Sequence, residues 1–483
     1  MQEPQVTDGA GGAAGSSGPA AVRTGPWHAV PALFATTVVV SLLGYLQKLP
    51  CRGVGFDFLP TVRNACYTDI YPLYFGRGLA DGKIPYLDKI PEPVEYPVLT
   101  GGFMHVMAVI SRWFGGSDAV SSGMWFYDLT AVALMLCAVV TVIATAYSSG
   151  RHGLRAGLLV AASPALLLSA YINWDLLAVA LSALAVAAWA RRHHATAGVL
   201  LGLGVAAKFY PLLFLGPLFL LCLRAGRWRE FGRMLAGAVI AWLVVNVPIM
   251  LAAFDSWSRF YTFNQERPVD WGSIFFMAGR EGLSSVDKVP TLNLMGEAGF
   301  AVLALLIALL VLLAPRRPRL PQVLFLVLAA FLLTNKVWSP QYVLWLLPVI
   351  ALARPKLPAY LLWQAGEIVY FFGIWWYLMA GSLEQAAEQS GRPAPPRSGL
   401  SDTLSAVLSG HAPVGGINDS VYYIALLARF LTVLMLAALV VVDILVPRLD
   451  VVRRDGVDDP AGGVLDGAED RFVLLRRPAP QAA

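Results

Sequence analysis

The stretch GEAGFAVLALLIALLVLLAPRRPR, residues 296–319, decides the fold class of this chain. It carries no charged side chain from Ala298 to Pro315, and three arginines follow within the next four residues. A helix of about 20 apolar residues matches the hydrocarbon thickness of a bilayer, and basic residues collect at the cytoplasmic ends of such helices. The stretch therefore predicts a membrane-spanning helix that ends in the cytoplasm.

The composition extends this prediction to the whole chain. Of 483 residues, 57% are hydrophobic and only 14% are charged, against about 25% charged in an ordinary soluble domain. The mean hydropathy is +0.62. A water-soluble chain could not bury so much apolar surface, which excludes a soluble enzyme, a disordered protein and a nucleic-acid binder. The net charge of +5 is expected to mark cytoplasmic loops rather than an acidic partner.

The fold class that follows is all-α: a polytopic helical membrane protein with about 12–13 membrane segments, some of them short or re-entrant. We expect a disordered tail at 1–26, a membrane domain at 27–446 and a cytoplasmic C-terminal tail at 447–483. The predicted segments are 29–47, 97–113, 123–147, 155–172, 174–190, 196–207, 209–223, 234–253, 296–314, 321–335, 340–353, 357–380 and 420–446.

Basic clusters predict the orientation of these segments. They lie near Arg151, Arg191, Arg224, Arg316, Arg354 and Arg448, and should all be cytoplasmic. The long polar loops 48–95, 254–295 and 381–419 then lie outside. The thirteen predicted segments are an odd number, and an odd number of spans cannot join two cytoplasmic termini. The conflict between the number of spans and the predicted orientation falls between residues 97 and 155. A re-entrant segment there, arginines 151 and 155 outside, or an outside N-terminus would each resolve it.

The four cysteines are too few for a disulfide scaffold. Cys137 and Cys222 lie in apolar runs and are expected in the core, whereas Cys51 and Cys66 share the first polar loop. If that loop lies outside the cytoplasm, a disulfide can form, and its loop closure would be worth roughly 3 kcal/mol. Two unpaired thiols are the alternative.

Polar motifs recur at the mouths of the apolar segments. The first loop carries Tyr67-Thr68-Asp69-Ile70-Tyr71 and Glu95-Tyr96-Pro97, and Asn173-Trp174-Asp175 and Lys208-Phe209-Tyr210-Pro211 follow between spans. Further along come Phe263-Asn264-Gln265-Glu266-Arg267 and Asn335-Lys336-Val337-Trp338-Ser339-Pro340-Gln341-Tyr342. Neither His-x-x-x-His nor Cys-x-x-Cys occurs, so no metal site is predicted.

In their order along the chain, these motifs resemble glycosyltransferase family 87, bacterial mannosyltransferases of the GT-C fold that use polyprenyl-phosphate sugars. The resemblance covers about residues 27–445 and implies a multi-pass cell-membrane enzyme with an extracytoplasmic active site and no cofactor. Its substrates would be a polyprenyl-phosphate sugar donor and a glycolipid or glycan acceptor, with no nucleic acid. It implies Asp69 as general base and substrate binding by Tyr71, Tyr96, Asn173, Asp175, Lys208, Asn264, Arg267, Lys336 and Gln341.

The chemistry needs such residues independently of the resemblance. A carboxylate must take the proton from the acceptor hydroxyl, and cations must stabilise the charge that builds on the departing phosphate. Asp69 can serve as the base, and Lys208, Arg267 and Lys336 as the cations. Burying a lysine inside the apolar stretch 196–223 costs free energy, so its presence there indicates function.

Each candidate also has a structural alternative. Asp69 could cap a loop helix or pair with an arginine, Asp57 is a rival base, and Asn173 and Asp175 could cap the next helix. Lys208 could snorkel, and Arg267 and Lys336 could be interfacial anchors. Glu367, inside a span, could pair with a buried base or line a lipid groove.

Two other functions stay open. A transporter or flippase of lipid-linked sugars would commonly show repeated halves with ionisable residues at the bilayer midplane, and no repeat is evident here. A non-catalytic envelope assembly protein would explain the loops but not the ordered set of polar residues.

Overall fold

The computed structural model describes residues 26–473. Apart from one isolated β-bridge between Ser398 and Ile417, the regular structure within that range is helical, which confirms the predicted fold class. The predicted N-terminal tail, residues 1–26, lies outside the described residues except for its last position. The helices are α1 (Val30–Arg52), α2 (Phe58–Arg63), α3 (Ile70–Gly76), α4 (Val98–Gly115), α5 (Ala119–Ser148), α6 (Gly153–Ala161), α7 (Pro164–Ser169), α8 (Asp175–Ala190), α9 (His194–Ala207), α10 (Leu215–Ala225), α11 (Trp228–Ala252), α12 (Phe254–Glu266), α13 (Ile274–Arg280), α14 (Val289–Leu313), α15 (Leu320–Thr334), α16 (Val343–Ala353), α17 (Leu357–Ser390), α18 (Leu400–Leu408) and α19 (Asp419–Leu445).

Five of these helices are long and apolar enough to cross a membrane, namely α1, α5, α11, α14 and α19. The shorter apolar helices lie inside the bundle: every residue of α16 and most of α15 are buried. A short helix is tolerated there because its ends meet protein rather than lipid.

The bundle has two chemically different ends. At the basic end, Arg224 at the close of α10 and Arg319 before α15 meet the chain that follows α19. At the cavity end, the first loop meets the turn before α8, where the Asp69 amide donates to the Ile172 carbonyl. Within residues 26–473, twelve helical passages alternate between these ends: α1, α5, α6 with α7, α8, α9, α10, α11, α14, α15, α16, α17 and α19.

Helix α4 resolves the conflict over orientation, because both of its ends contact the cavity end. Near its start, the Thr100 hydroxyl donates to the Ala207 carbonyl, 2.6 Å away, at the close of α9. Near its end, the Arg112 guanidinium donates to the Leu79 carbonyl of the first loop. Both ends of α4 therefore lie at the cavity end, so the predicted span at 97–113 is not among the helical passages that join the two ends of the bundle, and the twelve passages that remain are an even number.

A second predicted span, 155–172, is broken into α6 and α7. Ser163 caps α7, since its hydroxyl accepts from the Leu166 amide, and Pro164 follows at the first helical position. A proline lacks the amide that would continue the preceding helix, and the residue before it avoids helical geometry. The break is filled by Gln364 of α17, whose side-chain oxygen accepts from the Ser163 hydroxyl at 2.7 Å.

The first loop is tied to α1 by a disulfide between Cys51 and Cys66, whose Cα atoms lie 6.2 Å apart. Lys48, one turn earlier and fully buried, donates from Nζ to the Tyr67 carbonyl at 3.0 Å. Cys137 and Cys222 are free thiols, partly and fully buried. The loop that carries Asp69 is thus fixed to α1 at both the Cys66 and Tyr67 positions.

The described part of the C-terminal segment, 447–473, packs over the basic end. Asp450 accepts from the Arg319 guanidinium at 2.7 and 3.0 Å, and each side chain is only 1% exposed. Asp470 bridges Arg224 and Arg317 at 2.7 and 2.6 Å. The segment therefore gives three arginines of the basic end a carboxylate partner.

Candidate active site

The main cavity, of about 730 Å³, opens at the cavity end. It is built where the three long loops converge: the first contributes Tyr67, Asp69 and Glu95, the second Asn264, Arg267 and Asp270, and the third Arg397. The remaining wall comes from the mouths of the spans, including Tyr96, Asn173, Lys208 and Gln341. One cavity therefore collects polar side chains that lie up to 330 positions apart along the sequence, from Tyr67 to Arg397.

Asp69 is held between two hydrogen-bond donors. The Tyr67 hydroxyl donates to its Oδ1 at 2.7 Å, and the Asn173 amide donates to its Oδ2 at 2.9 Å. The same amide nitrogen lies 2.7 Å from the Tyr96 hydroxyl. The carboxylate cannot turn away from the cavity without breaking both bonds, which is the fixed orientation that a general base needs.

Burial and hydrogen bonding act in opposite directions on this carboxyl. Burial raises the pKa of Asp69 above its ordinary value, and the bonds from Tyr67 and Asn173 oppose that rise because they stabilise the anion. The negative charge of Asp69, together with burial, in turn raises the pKa of the Tyr67 hydroxyl well above its ordinary value. At neutral pH, Tyr67 is therefore a phenol that can donate.

Asn173 occupies the turn between α7 and α8. Its side-chain oxygen accepts from the Trp174 amide at 2.6 Å, which fixes the side chain so that its amide faces Asp69. No side-chain hydrogen bond caps the described start of α8. The alternative that Asn173 and Asp175 serve as caps is thus not what the structure shows.

Lys208 reaches the cavity from the break between α9 and α10. Its Nζ lies 3.1 Å from Asp175 Oδ2, and the other oxygen of that carboxylate accepts from the Trp345 indole at 2.7 Å. The rings of Tyr96 and Tyr342 have centroids 5.5 and 5.6 Å from Nζ. Asp175 is fully buried behind the lysine and does not line the cavity, so it acts as a counter-ion.

Arg267 and Lys336 form a second cationic group. Arg267 donates to Asp270 at 2.7 Å, and Lys336 donates to the carbonyls of Gln265 and Arg267 at 3.0 and 2.7 Å. Lys336 therefore fixes the backbone that presents Arg267. Its own charge is not neutralised by these partners, because they are carbonyls rather than carboxylates.

A second cavity of about 470 Å³ adjoins the first. The two share lining from Lys208, Phe260, Asn264 and Tyr342, and Lys336 lines only the second. Its remaining walls are mainly apolar, with Tyr261, Leu292, Phe300 and Phe331 from α12, α14 and α15, and Glu297 of α14 adds one carboxylate. An apolar recess thus meets a polar cavity at Lys208.

Three residues singled out from the sequence lie elsewhere. Tyr71 is outside the lining of both cavities, and its ring packs on Phe56 and Phe75. Asp57, the rival base, is exposed on the first loop and lines neither cavity. Glu367 pairs with the fully buried Arg429 at 3.1 Å, as one of its alternatives required.

Sequence reasoning missed several side chains of the main cavity, namely Tyr67, Glu95, Asp270, Arg280, Trp375 and Arg397. Tyr67 belongs to the Asp69 motif, and its position two residues before the carboxylate was the sequence signal that could have identified it. Arg280 and Arg397 offered no local signal, because distant loops bring them to the site. Within the part of the chain that the structure describes, no three His, Cys, Asp or Glu side chains form a metal-binding group.

Comparison with known families identifies the same region. A model of glycosyltransferase family 87 matches residues 96–340, just over half of the chain. The match includes Asn173, Lys208, Arg267 and Lys336, and it begins after Asp69. A search of curated proteins found no match.

Proposed function

Because the chain belongs to glycosyltransferase family 87, we propose that it transfers a hexose, mannose in the first instance, from a polyprenyl-phosphate sugar to a glycolipid or glycan acceptor. The coarser statement needs no proposal: the chain is a glycosyltransferase with several apolar helices of the kind that span membranes. The donor, the sugar and the acceptor are the proposed part.

The observation that carries the proposal is the position of Asp69. It is a buried carboxylate that two donors aim into a cavity, and Lys208 and Arg267 line the same cavity. Asp69 accepts the proton of the acceptor hydroxyl while that oxygen bonds to the anomeric carbon. The bond from that carbon to the phosphate oxygen breaks, and the cations stabilise the phosphate as it leaves.

The adjoining apolar cavity supports a lipid-linked donor. It meets the polar cavity at Lys208, so a phosphate at the junction would have its apolar tail in the recess between α12 and α14. Burying each methylene of a chain contributes about 0.8 kcal/mol, which favours a prenyl tail over a free sugar phosphate.

Reconstitution tests the function directly. The full chain in liposomes receives a radiolabelled polyprenyl-phosphate mannose together with lipids extracted from bacterial membranes. We expect label to pass to an acceptor lipid, and Asp69→Asn to slow this transfer about 10²–10⁴-fold. Movement of intact donor to the other leaflet without transfer would establish the flippase alternative instead.

The proposed location is the cell membrane, with the active site on the extracytoplasmic side. Single cysteines placed in loops 48–95, 254–295 and 381–419, in a chain without Cys51 and Cys66, should all react with a membrane-impermeant thiol reagent on intact cells. Protection of all three loops would place the active site in the cytoplasm and overturn this part of the proposal.

A further inference from the structure

The third long loop contains a short helix that the rest of the protein leaves almost uncovered. Helix α18 has nine residues, Leu400–Leu408, and Thr403 is the one buried residue among these nine. A helix shorter than about 12 residues is marginal in water by itself. A surface that the described protein does not supply is therefore needed to stabilise α18.

The exposed side chains of α18 are sorted by polarity. One side of the helix carries an apolar stripe at the spacing i, i+4, i+7 and i+8, which we call the α18 stripe: Leu400, Leu404, Val407 and Leu408. All four side chains are exposed, and Leu408 is 88% exposed. Ser401, Asp402 and Ser405 are also exposed and lie outside the stripe. The helix is thus amphipathic, and its apolar side faces away from the protein.

Helix α17 shows where the membrane ends at the cavity end. It starts at the basic end, where Lys356 pairs with Asp443, and it runs for 34 residues. The hydrocarbon core of a bilayer is crossed in about 20 residues, so its far boundary falls near Tyr377. Trp376 and Tyr377 are aromatic residues of the kind that collect at membrane interfaces.

Helix α18 is attached to the protein at the level of this boundary. The Ile417 amide donates to the Trp376 carbonyl at 3.3 Å, and the Ser398 amide donates to the Gly416 carbonyl at 2.9 Å. The Trp376 carbonyl approaches Gly416 so closely that it leaves no room for a Cβ there. Leu400 follows Ser398 by two positions, so α18 starts at the edge of the membrane.

The two chain segments outside the described range are attached at the opposite end of the bundle. Helix α1 ends at the first loop, so it begins at the basic end, and the Phe472 amide donates to the Arg224 carbonyl of the same end at 3.1 Å. The bilayer therefore separates residues 1–25 and 474–483 from α18. The lipid around the spans is the apolar phase that reaches the level of α18 in every molecule.

The charge of α18 indicates which property of the lipid matters. Asp402 is the one charged residue among the nine, and Lys and Arg are absent from this helix. Interfacial helices that are drawn to anionic headgroups carry Lys and Arg on their polar side. Contact between α18 and lipid must therefore come from burial of the apolar stripe and not from headgroup charge.

We propose that α18 is an interfacial helix whose stripe lies between the headgroups and the acyl chains of the leaflet at the cavity end. Its partner is the phospholipid bilayer itself. Because Arg397, which lines the main cavity, precedes Leu400 by three positions, this contact anchors the cavity-lining part of the third loop to the membrane. The inference does not depend on the reaction that the cavity performs.

Spin labelling measures what surrounds the helix. The full chain carries Cys137→Ala and Cys222→Ala, which remove the two free thiols, and keeps the disulfide between Cys51 and Cys66. It is reconstituted as one chain per nanodisc of phosphatidylcholine, so that a second copy cannot cover the stripe.

Single nitroxide labels then compare the two sides of α18. They are attached to Leu404→Cys or Leu408→Cys within the stripe, and to Ser401→Cys or Ser405→Cys outside it. We expect the labels at 404 and 408 to collide mainly with oxygen, which dissolves in lipid. Those at 401 and 405 should collide mainly with a water-soluble nickel chelate. Replacing part of the lipid with phosphatidylglycerol should leave this pattern unchanged.

Hydrogen exchange tests the anchoring without a label. In the double variant Leu404→Ser/Leu408→Ser, the amides of α18 should exchange at least about tenfold faster than in the unaltered chain, since apolar burial in lipid is lost. The matched control Ser401→Ala/Ser405→Ala changes the polar side and should exchange no faster than the unaltered chain. Unchanged exchange in α16, which is buried throughout, shows that each variant is folded.

Four results would overturn the inference. Labels at 404 and 408 that meet the nickel chelate as often as those at 401 and 405 would place the stripe in water. Shielding of 404 and 408 from both reagents would mean that α18 packs on protein. A pattern that appears only with phosphatidylglycerol would attribute the contact to charge. Unchanged exchange of α18 in Leu404→Ser/Leu408→Ser would show that the stripe anchors nothing.

Discussion

The two ends of the bundle carry similar charged groups in different arrangements. At the basic end, Arg319 and Asp450 are each 1% exposed and share two hydrogen bonds, and both make further hydrogen bonds to the chain around them. At the cavity end, Lys208 makes one bond to Asp175 and still lines two cavities. A small open recess of about 240 Å³ lies at the basic end, beside Arg317 and Asp470.

The difference teaches how to separate functional from structural charge in a membrane protein. Burial of ionisable residues marks both ends, so burial alone does not identify a site. What distinguishes the cavity end is a cavity of about 730 Å³ beside the charged groups, together with donors that fix the orientation of Asp69. The following predictions test this distinction.

The largest effect is expected from Asp69→Asn. The amide keeps the shape of the carboxylate but cannot accept the proton, so single-turnover transfer should slow about 10²–10⁴-fold. Donor affinity, measured in parallel, should persist because Lys208 and the apolar recess are unchanged. Asp128→Asn, which alters a carboxylate paired with Arg52 outside the cavity, is the matched control. Full activity of Asp69→Asn would remove Asp69 as the base.

At the other end, Asp450→Asn should act on stability instead. It leaves Arg319 as a buried charge without its counter-ion, and breaking such a pair costs about 3–5 kcal/mol. Thermal unfolding in nanodiscs should report the loss, while the transfer rate per folded molecule stays unchanged. A slower transfer rate with normal stability would mean that the two ends are coupled, and the distinction would fail.

Lys208 can be tested against its counter-ion. Lys208→Met should weaken donor binding and slow transfer about 10²–10³-fold, as expected when one stabilising donor is removed. It also leaves Asp175 unpaired and should lower stability. Adding Asp175→Asn removes that carboxylate charge, so the double variant should regain stability without regaining transfer. If the double variant also regained transfer, the role of Lys208 would be limited to neutralising Asp175.

The smallest effect is a shift in pH dependence from Tyr67→Phe. The Tyr67 hydroxyl stabilises the Asp69 anion against burial, so its removal should raise the pKa of Asp69 further. The base works only when deprotonated. The acidic limb of the pH–rate profile should therefore move to higher pH, with the rate above that limb nearly unchanged. An unmoved limb would show that Tyr67 does not tune Asp69.

Much of the fold followed from hydropathy, because apolar length is a local property. The predicted bounds of α8 and α9, 174–190 and 196–207, differ from the observed ones by at most two residues. The placement of both ends of α4 at the cavity end did not follow, because this helix is nearly as apolar as a helix that joins the two ends. The break at Ser163 did not follow either, since it is filled by Gln364 of α17, 201 positions further along the chain.

The candidate site likewise contains some residues that the sequence could predict and others that it could not. The position of Asp69 was predicted because a carboxylate in a tyrosine-rich loop stands out, and that of Lys208 because a lysine in an apolar run does. Tyr71 stood out for the same reason, yet the helix that begins at Ile70 turns its ring towards Phe75 and away from the cavity. Nothing in the local sequence distinguishes Arg397 and Arg280 from other arginines. They line the cavity only because the folded loops converge there.

Helix α4 has a consequence for how the chain is made. Its eighteen residues approach the length and apolarity at which the insertion machinery of the membrane commits a segment to the bilayer. Arg112 and His105 are the charged or strongly polar side chains that oppose this commitment. If α4 were inserted as a span, every later loop would lie on the opposite side of the membrane. The bilayer would then separate Lys208 from Asp69. A substitution such as Arg112→Leu could therefore divide the site between two compartments during synthesis without altering any residue of the cavity.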